Sequence, residues 1–239
     1  MRPGRQQTFG KLAAVLVLLF GAGRSLAWPV DAVFDVDVGD DHFEKLLQLD
    51  WLDNSDPSVA TVEVLPSGEL DFIGKKVGRT RLLLSSNGKL HAFRIRVSAK
   101  GIPPPPPRPE LLESAKKACP GLKTDRQGKE NSLVVSVNTE PCRKALRTLF
   151  SESDEFLAPD ISLTFDLPEL QAQLRDIEAA LSAKKSPAKP HYLGAGLVLK
   201  GELTPAQLHE SLGQIFDRTL GRVALDDRTQ TPDAGVPTP

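Results

Sequence analysis

Cysteine, aromatic side chains and long apolar runs are scarce in this chain of 239 residues, and each shortage excludes something. Aromatics amount to 5% of the residues, so a core must be assembled from Leu, Val, Ile and Ala, and no ladder of rings is present to stack on nucleic-acid bases. The two cysteines have no CxxC partner and no histidine close by, which leaves no zinc ligand set of the usual spacing. The four histidines, His42, His91, His191 and His209, are far apart and form no HExxH pair. GxxxxGK(S/T) and GxSxG are missing. The nearest approach to a glycine-rich phosphate loop, Gly194-Ala195-Gly196, sits at the start of a strand-like run, where glycine serves close backbone packing. The formal net charge is −1, which gives no electrostatic basis for binding nucleic acid or an anionic membrane. Asp35, Asp37, Asp40 and Asp41 suggest a calcium loop, but the sixth and twelfth positions hold Asp40 and Leu46 instead of glycine and glutamate, so they read as a solvated strand face. No catalytic residue, cofactor or metal is assigned, and the chain reads as a binding or assembly protein, not an enzyme.

What the sequence does have begins at its N-terminus. Arg2, Arg5 and Lys11 precede an apolar run from Leu12 to Ala22, and Ser25-Leu26-Ala27 supplies small residues at the −3 and −1 positions of a secretory signal. The run is well short of the ~20 residues that span a bilayer as a helix. Residues 1–27 are therefore expected to be a signal peptide cut between Ala27 and Trp28, a retained anchor being the alternative. That segment carries Arg2, Arg5, Lys11 and Arg24 and no acid, so its removal takes the net charge from −1 to −5. Export places Cys119 and Cys142 in an oxidising compartment, which favours a disulfide between them. A metal site and a catalytic thiol are the alternatives, without a ligand partner for the first or a base for the second.

Proline marks the organisation. Residues 103–107 are PPPPP, an expected polyproline II spacer within a linker over 101–110. Before it, residues 28–100 alternate as strands at Val33–Val38, Ala60–Val64, Leu70–Ile73, Thr80–Leu84 and Ala92–Val97. Turn residues separate these runs, and Asn87-Gly88 is a hairpin signal. His42–Leu49 is the one stretch expected to be helical. This half is predicted to be a small all-β sandwich of Ig-like type. Residues 111–226 are predicted to be α+β, with helices on one small sheet in the order α-β-α-β-α-β-α-β. Helices are expected at Glu110–Ala118, Pro141–Phe150, Leu167–Leu181 and from Thr204-Pro205, with strands at Leu133–Val137, Ile161–Phe165, Leu193–Leu199 and Val223–Leu225. Lys184–Pro190 reads as a solvated loop, and residues 227–239 as a disordered tail.

Asp56-Pro57-Ser58-Val59-Ala60-Thr61-Val62-Glu63-Val64, followed by Gly74-Lys75-Lys76-Val77-Gly78-Arg79-Thr80, resembles the N-terminal domain of pilus-formation proteins, as found in the secretins of Tad/Flp pili. The opening strand ending at Gly39 and Leu46, Leu47 and Leu49 extend the resemblance; bacterial Ig-like domains carry a similar pattern. Gly194–Glu202 (GAGLVLKGE), the helix after it and Gly221-Arg222-Val223 resemble a BON-type unit, and 111–165 reads as a diverged copy of the same design. The long C-terminal region of amphipathic strands that forms a secretin pore does not follow. The resemblance implies a non-catalytic periplasmic accessory of a pilus or secretin-type machine, associated with the outer membrane or cell surface. Its partners would be envelope proteins, a secretin among them, with peripheral membrane contact and self-association compatible. The alternative is an Ig-like envelope or surface adhesion module.

Overall fold

The computed structural model describes residues 30–45, 48–86, 89–103, 106–127, 130–193, 196–220 and 225–230. The expected signal peptide with its Ala27-Trp28 junction, and residues 231–239 of the expected tail, lie outside them.

The chain before the proline run forms β1 (Ala32–Asp37), β2 (Asp41–Lys45), β3 (Trp51–Asn54), β4 (Ala60–Val64), β5 (Glu69–Gly74), β6 (Gly78–Ser86) and β7 (Lys89–Ser98). They make two sheets, β1-β7-β6-β3 and β2-β5-β4, with β1 parallel to β7 and the other pairs antiparallel. Val36, Ala60, Leu70, Phe72, Leu82, Leu84, Phe93, Ile95 and Val97 fill the space between the sheets, one face of each strand, as a period of two requires. The expected sandwich is therefore present in this half. Ser86 pairs with Lys89, which leaves Asn87 and Gly88 between the two strands, outside the described residues.

The residues of the DPSVATVEV and GKKVGRT motifs hold one another. The Asp56 carboxylate accepts from Ser58 N and Oγ, and the Val59 carbonyl accepts from Lys75 N and Lys76 N. A Cβ on Gly78 would stand 3.1 Å from Val59 Cγ2. At Gly74 a Cβ would stand 2.5 Å from the Asp37 carbonyl, so only glycine lets β5 pass beneath the β1–β2 crossing. One expectation fails here. Asp41–Lys45 is a strand paired with β5, not a helical turn, because edge pairing outweighs the helix propensity of Glu44 and Lys45. Val64, at the end of β4, is exposed.

After the proline run come α1 (Pro109–Ala118), β8 (Lys123–Gln127), β9 (Glu130–Val137), α2 (Glu140–Glu152), a 3-10 turn (Ala158–Asp160) and β10 (Ile161–Phe165). They are followed by α3 (Leu167–Ala183), β11 (Lys189–Leu193), β12 (Gly196–Glu202), α4 (Pro205–Phe216) and β13 (Leu225–Gln230). The four helices each carry proline in one of the first two positions, where its missing N–H costs nothing. Thr139 caps α2, and Thr204 and Gln207 form a capping box on α4.

Two three-stranded sheets result instead of the one expected. Both have the same plan. A helix leads into an antiparallel hairpin (β8–β9, β11–β12), and a second helix returns the chain to a strand parallel to the middle one (β10 on β9, β13 on β12). The extra strands carry little signal: Lys123–Gln127 is KTDRQ, without apolar alternation, and Lys189–Leu193 contains Pro190, which an edge strand tolerates. The single strand expected over Leu193–Leu199 is the end of one hairpin arm and the start of the next. Asp227–Gln230 continues β13, past the point where a disordered tail was expected, because β12 offers an unpaired edge.

The proline run does not hold its flanks apart. Leu83 and Ala92, on the outer face of the first sheet, share one apolar cluster with Ile177, Leu181, Leu197, Leu199, Leu212 and Ile215. This covers β6 on both faces and explains its uninterrupted Leu82-Leu83-Leu84 run. The first helical unit keeps its own core around Leu133, Leu146, Leu149 and Phe150.

Candidate functional site

The register of the β6–β7 hairpin sets Arg79 opposite Arg96 and Arg81 opposite Arg94. Four guanidinium groups thus stand on one sheet face, the face that the later units cover. Two carboxylates meet them. Asp154, just beyond α2, accepts from Arg94 and from Arg96 Nη1 (2.6 Å), with Arg79 at 3.8 Å. Asp217, at the end of α4, pairs with Arg81. Arg94 is 1% exposed and also donates to the Phe150 carbonyl (2.7 Å), while Arg96 holds Asp35 through Nε and Nη2. Burial pushes the Asp154 carboxyl up, but Arg94, Arg79 and Arg96 together outweigh it and hold it below the usual carboxylate range. Burial lowers the Arg94 guanidinium, opposed by Asp154.

Beside this face lies a cleft of about 610 Å³ between β3 and β6 of the sandwich, α2 of the first helical unit and α4 of the second. Arg81, Arg147, Arg218 and Asp217 line it, together with Asp53 and His209. His209 stacks on Trp51 with centroids 4.3 Å apart, and burial lowers its imidazole below the ordinary value. Lys184 pairs with Glu210 (2.8 Å) across the rim. A Cβ on Gly213 of α4 would stand 3.4 Å from Arg81 Nη2, an ordinary van der Waals contact. Under the cleft, Arg143 pairs with Glu169 and Asp176, and Gln173 accepts from Tyr192 while donating to the Arg218 carbonyl (2.9 Å). Burial pushes the Tyr192 phenol up. The chemistry this arrangement offers is charge-assisted hydrogen bonding to an anion.

Cys119 and Cys142 are bonded, with Cα atoms 4.7 Å apart, and tie the end of α1 to the first turn of α2. The four early aspartates do not converge: Asp35 serves Arg96, Asp40 serves Lys100, and Asp37 accepts from Gly101 N. Among the described residues no group of three or more His, Cys, Asp or Glu is placed to hold a metal ion. The histidines stay separate, with His42 stacked on Phe72 in the sandwich and His91 3.8 Å from Asp31. The arginine face and the cleft were not anticipated from sequence. Their signal is the alternation of arginine with apolar residues in RTRLLL and FRIRV on either side of Asn87-Gly88.

No family model matches the chain, and no curated protein matches it. Among solved structures, domains 4 and 5 of the S-layer protein SbsC are similar at 22% identity over 29% of this chain and 44% of that one, with a TM-score of 0.25. Domains 5–6 of SbsC are similar at 14% identity over 54% and 61%, TM-score 0.25. The endo-fucoidan hydrolase MfFcnA9 is similar at 10% identity over 30% and 16%, TM-score 0.23. The chain spans less than two thirds of the length of each, and at these scores the likenesses carry no argument about fold or activity.

Proposed function

We propose that the protein is a non-catalytic, periplasmic assembly factor of a pilus or secretin-type secretion machine, acting through protein–protein binding. The observation that carries this reading is the joining of a sandwich built around the pilus-type motifs to two units of one helix–hairpin–helix–strand plan, the second containing the BON-like Gly196–Glu202 strand. The first of these sheets leaves one face of its middle strand open, with Leu133, Val135 and Val137 of β9 buried and Val134 and Ser136 exposed. Edge strands and uncovered faces of this kind suit recognition by strand addition or face packing, which needs no special residue types. Among the described residues no helix is long and apolar enough to cross a membrane. Affinity purification of the full chain from envelope fractions, with partners identified by mass spectrometry, tests the proposal. Co-purification of a pilus or secretion-machine component is expected, and its absence from cross-linked envelopes overturns the reading.

A second reading, an Ig-like surface module, is favoured by the outer face of the β2-β5-β4 sheet. There Phe43 is exposed between Asp41, Glu63 and Asp71. Labelling of intact cells by a membrane-impermeant reagent distinguishes it, because a periplasmic protein stays unlabelled.

A further inference from the structure

The part of the cleft lined by β6, α2 and the close of α4 is rich in guanidinium groups. Arg81, Arg218 and Arg147 all act on the single carboxylate of Asp217. Three guanidinium groups thus share one carboxylate at this place. Of the nearby carboxylates, Glu210 is taken by Lys184, Asp53 acts on His209, and Asp176 shares Arg143 with Glu169.

The hydrogen bonding is also incomplete. Arg218 donates only to neutral oxygens, the Gln214 carbonyl (2.9 Å) and Gln214 Oε1 (3.0 Å). Arg147, half-buried on α2, has no hydrogen bond or ion pair among the described residues. Arg81 is 6% exposed, and its Nε has no partner. A half-buried guanidinium without an acceptor is costly, and here it also faces others of its own sign. Burial, with the neighbouring Arg218 and Arg143, lowers the Arg147 guanidinium against the pull of Asp176 and Asp217.

We infer that this cleft is a binding site for a doubly charged phosphate group, free or as a monoester, held by Arg147 and Arg218 with Arg81 behind them. A phosphate monoester carries about −1.5 to −2 charge near neutral pH and three strong acceptor oxygens, enough to serve the idle donors of Arg147, Arg218 and Arg81 together; a carboxylate offers two oxygens and half that charge. Planar guanidinium forks suit such oxygens bidentately. The cleft volume of about 610 Å³ lies within the ~300–1,000 Å³ range of small-molecule sites. Because β6, α2 and α4 belong to the sandwich and the two helical units in turn, a bound phosphate joins all three. This goes beyond the assembly reading and does not depend on it.

The test is calorimetric titration of the full chain with inorganic phosphate, then with glycerol 3-phosphate and with acetate, at fixed ionic strength and pH 7.5, alongside thermal melts. Saturable phosphate binding that raises the melting temperature is expected, with acetate far weaker. Arg147→Gln and Arg218→Gln should each weaken phosphate about tenfold or more, the loss of a charge-assisted contact. Arg147→Gln should melt no lower than the wild type without phosphate, since it removes a repelled cation; this separates lost binding from lost folding. Binding of both phosphate compounds assigns a monoester ligand, and binding of inorganic phosphate alone assigns the free ion. Absence of saturable binding of either up to ~10 mM, a free energy no stronger than about −3 kcal/mol, overturns the inference. So does equal binding by both glutamine variants.

Discussion

Asp154→Ala isolates the charged half of the contact between the sandwich and the helical units. The substitution takes the carboxylate from Arg94, whose side chain is 1% exposed, while Asp154 itself is 11% exposed. Removing one partner of a buried pair costs about 3–5 kcal/mol, chiefly because the other charge is left in a poorly solvated place. Arg94 retains the Phe150 and Ser153 carbonyls, and Arg96 retains Asp35, so the lower end applies. The Arg79 contact at 3.8 Å is partly exposed and adds little. A loss of about 3 kcal/mol in a chain of this size corresponds to a fall of about 6–12 °C in Tm. Urea unfolding followed by far-UV circular dichroism and by tryptophan emission measures it. Trp51 stacks on His209 across the same contact, so its emission should change before the dichroism does. The double variant Arg94→Met/Asp154→Leu removes both charges and fills the space, and should lie within about 1 kcal/mol of the wild type. A loss under about 1 kcal/mol for Asp154→Ala, or a double variant as unstable as the single one, would refute the reasoning.

Three further outcomes are expected. Reduction of Cys119–Cys142, which closes a loop of sequence separation 23, should cost about 3 kcal/mol on the chain-entropy account; melts with and without reductant measure it, and alkylation of the unreduced protein should label neither sulfur. Gly201→Ala should cost about 1–3 kcal/mol, the range for backbone strain, because Gly201 has φ +138° and a Cβ there would stand 2.9 Å from the Pro187 carbonyl; a melt unchanged within error contradicts this. The folded His209 imidazole titrates below its ordinary 6.5, so the folded state binds fewer protons than the unfolded chain in that window. The stability it contributes is present above 6.5 and lost as pH falls through the lower folded value. His209→Phe keeps the stack on Trp51 and should flatten the fall in urea midpoint between pH 7 and 5; an unchanged slope counts against it. Asp154 does not confuse this window, since its contribution is lost only below 3.8.

Legibility followed how far each signal is local. β4 and β10 lie where alternation places them, α3 follows its leucine spacing, and α4 follows Thr204-Pro205, because each pattern reports burial of one face. β2, β8 and β11 escaped because an edge strand facing water needs no apolar alternation, and pairing alone holds it. The disulfide followed from compartment and count, whereas the cleft did not. Arg81, Arg147 and Arg218 are separated by long stretches of chain and meet only through the packing of three units, which no local spacing encodes. Half of that arrangement was still within reach. A two-residue connection at Asn87-Gly88 places Arg79 and Arg81 opposite Arg96 and Arg94, and the Leu82-Leu83-Leu84 run asks for cover on both faces.

Those two features constrain each other. The side-chain period of a strand is two, so slipping β6 by one residue against β7 would turn Arg79 and Arg81 into the sandwich and put Thr80, Leu82 and Leu84 outside. Three consecutive leucines alone tolerate that slip, since both faces would stay apolar at Leu83. The arginines do not, because the sandwich interior offers them no carboxylate, whereas Asp154 and Asp217 wait on the other side. Apolar burial through Leu83 and Ala92 therefore supplies the attraction between sandwich and helical units, and the arginine–aspartate pairs select the one register and orientation in which both faces of β6 are satisfied.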